Sequence, residues 1–421
     1  MFQNMENIAR AGDLRRRILF TLLMFAVFRL GVYIPVPGVD AAALQTFVKS
    51  GSVTLFGLLN LFSGGAFFTF SIFAMSIVPY INASIIMQLL TVVIPRVEEL
   101  QKEGADGQKK INEWTRYLTV GLAIVQGFGT TVTLNRLAGV VLTPGWTSIL
   151  FITLILAAGS VFLMWIGEMI TEFGIGNGAS LIIFMGIVSR LPNGIQAGYQ
   201  YLQAGTISPI EMIMLLILAG LVIALVVFMQ EAERRVPVQY AKRLVGRRMY
   251  QGSTSHIPIK VNAAGVIPLI FAVSLLFLPQ TLASFFPKLS TVAQILNMNN
   301  WPMVIVEFAL VVAFTFFYTG VVFKPNDVAD NIRKMGGFIP GIRPGHPTAQ
   351  YLERVSTRIT LIGAVFLGLV AVLPFLVVTL TKIQVYFGGT ALLIVVGVAL
   401  DTMKQIQAQL VMRNYQGFLR S

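Results

Sequence analysis

The 421-residue chain contains no cysteine. That excludes disulfides, thiolate metal sites and cysteine nucleophiles together. Charge is scarce as well: Asp, Glu, Lys and Arg make up 12% of the residues, and there are only two histidines. His256 and His346 stand in separate polar loops, and no Ser/His/Asp set, metal-ligating cluster or carboxylate pair accompanies them, so neither an enzyme nor a cofactor is expected. Gly174-Ile175-Gly176-Asn177-Gly178 resembles half of a nucleotide loop, but no strand precedes it and no acidic residue follows at the right distance. It reads as a tight turn between two membrane helices, with Asn177 or Ser180 able to cap the next helix. What the chain has in excess is apolar surface: AVILMFWYC make up 56% and the mean hydropathy is +0.77. Soluble domains are about half apolar and about a quarter charged. The composition therefore predicts an all-α polytopic membrane protein, with room for about ten helices of roughly twenty residues.

Apolar runs lie near 18–34, 70–94, 117–134, 149–167, 179–189, 212–229, 264–286, 303–323, 359–380 and 385–400. Arg15-Arg16-Arg17 before the first run imitates a signal peptide, but no small-residue cleavage site follows, and the run is read as a retained first helix. The fifth run is short enough to be a re-entrant segment. Charge decides the matter, because short cytoplasmic loops keep Lys and Arg. Ten spans place 25 of the 31 basic residues on one side, five on the other (Lys49, Arg136, Arg190, Lys288, Lys382) and one, Arg29, within a run; nine spans give 12 against 18. Ten spans with both termini cytoplasmic are expected. Five spans per half also permit an inverted repeat, with 1–190 as one half, 191–209 as an outer hinge loop and 210–421 as the other half.

The pattern breaks after the first span. Thr54 to Phe62 is apolar, but nine helical residues reach only about 14 Å, under half of the hydrocarbon thickness. This piece either dips into the protein from outside and returns through Ser63-Gly64-Gly65, or lies flat on the outer surface, and spacing alone does not choose. Charges within spans are few: Arg29, Glu307 and Asp401, each near a helix end where snorkelling or a local partner accounts for it. The inner loops 231–260 and 324–358 hold 13 of the 25 inner basic residues. Attraction to anionic headgroups explains charge near a membrane. The ordered turn chemistry of Phe338-Ile-Pro-Gly-Ile-Arg-Pro-Gly345 and Ser255-His-Ile-Pro258 points instead to docking of an anionic partner, either ribosomal RNA or an acidic protein surface.

Several long motifs resemble the SecY/Sec61-alpha family of protein-translocase channels. They are Phe70-Ser-Ile-Phe-Ala-Met-Ser-Ile-Val-Pro-Tyr-Ile81 with Asn82 to Gln88, Gly174 to Gly178, Asn262-Ala-Ala-Gly-Val-Ile-Pro268, Phe338 to Gly345, Phe387-Gly-Gly-Thr390 and Leu392 to Val396. The resemblance implies a clamshell of two five-helix halves that is hinged between the fifth and sixth helices and opens between the second and seventh. It implies a midplane pore ring of Ile77, Ile81, Ile183, Ile270 and Ile394, with Ala179 where a further ring isoleucine is often found. It also implies a re-entrant plug helix over about 54–65, comprising Leu55, Phe56, Gly57, Leu58, Leu59, Asn60, Leu61, Phe62, Ser63, Gly64 and Gly65. Asn82, Gln126 and Ser274 map to a lateral-gate latch, Arg343 to a motor-dependent arginine, and Arg247 and Arg248 to a ribosome-docking pair.

The function implied is a passive channel of the bacterial inner membrane that passes unfolded polypeptides across and releases membrane helices sideways into the lipid bilayer. Its implied partners are small SecE-like and SecG-like membrane subunits, the SecA ATPase, the ribosome, signal peptides and nascent chains. Two other classes stand beside it: a secondary transporter, which shares inverted repeats and broken helices, and a scaffold or insertase without a pore.

Overall fold

The computed structural model describes residues 12–49, 60, 63–137, 139–205, 208–240, 243–245, 248–250, 254–285, 300–381 and 389–418. Helix α1 (Gly12–Val32) is followed by the short α2 (Ala41–Lys49), then α3 (Val78–Val93), α4 (Pro95–Lys102), α5 (Ala105–Asn135), α6 (Trp146–Phe173), α7 (Gly178–Val188), α8 (Leu191–Gln203) and α9 (Pro209–Glu231). Strands β1 (Glu233–Tyr240), β2 (Arg243–Val245), β3 (Arg248–Tyr250) and β4 (Thr254–Lys260) precede α10 (Ile267–Phe285), α11 (Trp301–Val322) and α12 (Pro325–Lys334). The two-residue β5 (Gly337–Phe338), α13 (His346–Thr381) and α14 (Gly389–Phe418) complete the order.

Local chemistry sets many of these boundaries. Ser208 and Glu211 form a reciprocal capping box at the start of α9, with Pro209 in its first turn. Asn177 caps α7 by accepting from Ser180 N at 3.1 Å. Ile94 leaves the helical region before Pro95, and α3 and α4 meet at 99°. Among the described residues, seven helical segments are long and apolar enough to cross a membrane, or eight if the bent α3–α4 pair counts as one. Helix α1, with Arg15, Arg16 and Arg17 in its first turns, and α10, apolar over the ten residues Ile267–Leu276, are consistent with the ten expected without by themselves meeting that measure. The doubtful fifth span runs on through α8 as a 26-residue segment, Gly178–Gln203. The stretch 191–209, expected as an outer loop, is therefore helical as far as Gln203.

The second span departs from expectation. Its apolar run begins at Phe70, yet the helix begins only at Val78, and residues 63–77 pass through successive turns. Phe70 (φ +42°) and Ser76 (φ +54°) occupy the left-handed region that side chains disfavour. Irregular backbone at this depth survives because its polar groups find partners inside the protein. Val36 N donates to Phe70 O at 2.9 Å, Ile72 N to Ile34 O at 3.0 Å, and Phe68 N to Asn60 Oδ1 at 3.0 Å. Phe67, Phe70, Ala74 and Met75 of this segment pack with Leu44, Leu134, Ile152 and Leu156 into a satellite core. The main core spans both halves of the chain, from Phe28 and Ile77 to Ile270 and Ile394. The outward faces stay apolar, as lipid contact requires: α9 buries only Val222, Val226 and Gln230, whereas Leu216 and Phe228 are exposed.

Strands were not anticipated in the inner loops. Strand β1 pairs antiparallel with β4, Glu233 opposite Lys260 through Gln239 opposite Thr254, and also with β5, Tyr240 opposite Gly337. Ser255-His-Ile-Pro258 is thus part of a strand rather than a turn. Its proline is tolerated because β4 is an edge of the β4–β1–β5 sheet. Helix α13 is 36 residues long, about 54 Å, so it overshoots a hydrocarbon layer of about 30 Å. Its first turns carry Leu352 into a third core with Val236, Val238, Ile259, Ile332 and Ile339. The two basic loops are one packed module.

Candidate functional site: an isoleucine collar and its surroundings

All five ring candidates fall into the main core. Ile77 and Ile394 are fully buried, and Ile81, Ile183 and Ile270 nearly so. Ile77 and Ile81 share a helix face, joined by the Ile81 N to Ile77 O bond at 3.1 Å. Gly167 on α6 makes room for Ile77: a Cβ there would stand 3.3 Å from Ile77 Cδ1 and 3.5 Å from Ala179 N. Ile183 comes from α7, Ile270 from the first turn of α10 and Ile394 from α14, so both halves of the chain contribute. Ile77, Ile81, Ile183 and Ile270, with Val78, Val273 and Ser274, line a gap of about 10 Å³, close to the least that one water needs. Ile394 packs into the same core without lining that gap. Ala179 is half-buried against the same core.

Of the three latch candidates, Ser274 lines the gap, Asn82 is buried beside Ile81, and Gln126 is half-buried on α5. Helix α10 packs against both α3 and α5, so the second and seventh spans meet. Asn82 Nδ2 is buried and donates to no acceptor, so it bonds to neither of the other two residues. A buried orphan donor costs about 1–3 kcal/mol, so the Asn82 amide is a local weakness of α3.

Of the plug candidates, Asn60, Ser63, Gly64 and Gly65 are described, while Leu55, Phe56, Gly57, Leu58, Leu59, Leu61 and Phe62 lie outside the described residues. Asn60 and Ser63 are fully buried, and Gly65 N donates to Asn60 O at 2.9 Å. Gly64 has φ +67° and lies so close to α7 that a Cβ would be 3.0 Å from Gly186 Cα. Of the two ways to place this segment, its described end follows the buried one. Sequence reasoning missed what holds it: Arg29 Nη1 donates to Gly64 O at 3.2 Å and to Ser189 Oγ at 3.4 Å. The signal was a lone arginine inside a span facing a Gly-Gly pair.

The Gly174–Gly178 turn is a junction. Arg17 Nη1 donates to Gly174 O at 3.4 Å, Ile175 N to Thr21 Oγ1 at 3.2 Å, and Gly176 N to Gln405 Oε1 at 2.9 Å. Gly176 needs its positive φ of 88°, and a Cβ on Gly178 would collide with Gly167 O. Arg343 is exposed on a turn bounded by Gly341 (φ +79°) and Gly345 (φ +101°). Ile342 N donates to Ile339 O at 3.0 Å, and Thr348 Oγ1 to Arg343 O at 2.8 Å, so the backbone beneath the guanidinium is fixed. Arg248 lies in β3, and Arg247 lies outside the described residues.

The family model described as SecY matches residues 71–403. The protein translocase subunit SecY of Halalkalibacterium halodurans is 47% identical over 433 aligned positions, covering 100% of both chains. A solved structure described as that of a protein conducting channel superposes with a TM-score of 0.64 at 18% identity, covering 94% of this chain and 92% of that one. Sec61 in the canine ribosome-channel complex gives 0.60 at 17% identity, with coverage of 94% and 92%. At these identities the two structures speak for the fold, and the sequence matches speak for the family. A chain-long match at 47% identity and a family model covering most of its length establish that the chain belongs to the SecY family of protein translocase subunits.

Proposed function

We propose that this chain is a gated protein-conducting channel that passes unfolded polypeptides across the membrane and lets apolar helices leave sideways between α3 and α10. The observation that carries the reading is the collar. Isoleucines from four helices pack together where the two halves meet, and four of the five, Ile77, Ile81, Ile183 and Ile270, line a gap of one-water size. A narrow apolar constriction excludes water and ions by dewetting, and aliphatic side chains make no sequence-specific contact with a passing chain. The buried end of the 54–65 segment is read as the returning end of a plug, and Asn82, Gln126 and Ser274 as the polar seam of the lateral gate.

Energy comes from partners. Arg343, held out on a fixed turn, is read as the contact for a cytosolic motor of the SecA type, and Arg247 and Arg248 as a ribosome contact. The likeness to Sec61 in a ribosome-channel complex supports the latter. Small SecE-like and SecG-like subunits complete the assembly, which sits in the bacterial inner membrane with both termini in the cytoplasm. The test is reconstitution of the chain with its small subunits and motor into liposomes. ATP-dependent uptake of an unfolded preprotein is expected, and saturable small-solute flux by the chain alone, without preprotein uptake, would make it a transporter instead.

A further inference from the structure

Arg29 is the one basic residue within an apolar run, three positions before the end of α1, and nothing in the collar or the inner docking module uses it. Its guanidinium is half-buried and reaches three groups on three segments: Gly64 O at 3.2 Å, Ser189 Oγ at 3.4 Å and Tyr33 OH at 2.8 Å. The Tyr33 ring also lies 4.9 Å below the guanidinium carbon. Beside it, Gly64 meets Gly186 so closely that only glycine fits, and Ser189 Oγ donates back to Gly186 O at 2.9 Å. One cation therefore joins the first helix, the returning end of the 54–65 segment and the outer end of α7.

We infer that Arg29 is the latch that holds the plug segment shut, a positioning residue acting through the Gly64 carbonyl. The inference rests on the plug reading of 54–65. Anchoring through the backbone carbonyl of residue 64 needs no particular side chain there, since a main-chain acceptor is present whatever residue the position carries. Because the three bonds are directional and the guanidinium keeps only partial access to water, withdrawal of the segment breaks the Gly64 bond while Arg29 keeps Tyr33. The latch can then re-form when the segment returns.

The absence of native cysteine provides a clean reporter. Ser63→Cys replaces a fully buried side chain in the segment, and Leu142→Cys an exposed one in an outer loop. Channels complexed with their small subunits are labelled from outside with a membrane-impermeant maleimide, and their resting conductance is measured in planar bilayers. In Arg29→Ala, labelling at position 63 and resting ion leak should both rise about tenfold, the ratio expected from losing one charge-assisted hydrogen bond, with labelling at 142 unchanged. Arg29→Lys should fall between wild type and Ala, since an ammonium can still reach one acceptor. Gly64→Ala disturbs the same contact from the other side and should mimic Arg29→Ala; combining the two should add little. If deletion of 57–65 leaks but both single variants stay tight and protected, the latch is refuted and the plug reading survives. If the deletion itself does not leak, the plug reading falls and the latch falls with it.

Discussion

Replacing Ile81 and Ile270 together with serine tests the collar most directly. Both side chains line the gap, and each loses a net two heavy atoms, so four vacate the constriction. Each is comparable in size to one water, which takes a gap barely large enough for one water to one with room for about five. The two hydroxyls would also anchor those waters, where isoleucine offers them no partner. A continuous wet column replaces a dewetted one, and the resting channel should conduct ions. Three carbons leave at each site, so at about 0.8 kcal/mol per buried methylene each substitution forfeits roughly 2.4 kcal/mol before any relaxation, and the accumulated protein is quantified beside the recording. The assay is single-channel recording in planar bilayers at matched protein amounts, with the Leu23→Ser variant, exposed on α1 toward lipid, as control. Unchanged ion tightness in the double variant would mean that these isoleucines only pack helices together.

Reversal of Arg343 to Glu should abolish motor-driven preprotein uptake into inverted membrane vesicles while membrane insertion of the channel stays normal; wild-type uptake would remove the docking role. Val238→Asp places an unpaired carboxylate in the inner core, where Val238 is almost fully buried. It should loosen the sheet without unfolding the bundle, exposing 231–260 and 324–358 to limited proteolysis, and unchanged protease resistance would argue against a single packed module. Gly178→Ala should destabilise the α6–α7 contact by about 1–3 kcal/mol, because the new methyl meets the Gly167 carbonyl oxygen. Thermal unfolding in detergent reads this loss, and an unaltered midpoint would deny the close approach.

The succession of helical segments was legible in outline because long apolar runs are separated by charged gaps, with 25 basic residues in one set of gaps against five in the other. The segment at 179–189 illustrates the strength of that rule: its length favoured a re-entrant piece, charge parity made it a span, and the structure continues it to Gln203. Ring candidates were legible only through likeness to a family, since an isoleucine in a membrane helix carries no label for pore or packing. Two features resisted reading. The turns at 63–77 hide inside a run apolar enough for a helix, because their satisfaction comes from Ile34, Val36 and Asn60, distant in sequence and invisible to periodicity. The β1–β4 sheet hides behind Pro237 and Pro258, which argue locally against strands, and it forms because Val236 and Val238 find Leu352 and Ile332 across the fold.

The Gly174–Gly178 turn carries a consequence for how two halves can part. Its backbone is tied by Arg17 and Thr21 to the first span and by Gln405 to the last, so the inner edge along α1, α7 and α14 is closed by bonds to main chain. Helix α10 packs against α3 and α5, and α3 carries a buried, unpaired Asn82 amide. A shell sewn along one border and merely pressed together along the other does not widen evenly when something is driven through it. Under the channel reading it would split on the unsewn side, and a greasy segment in transit would meet lipid there.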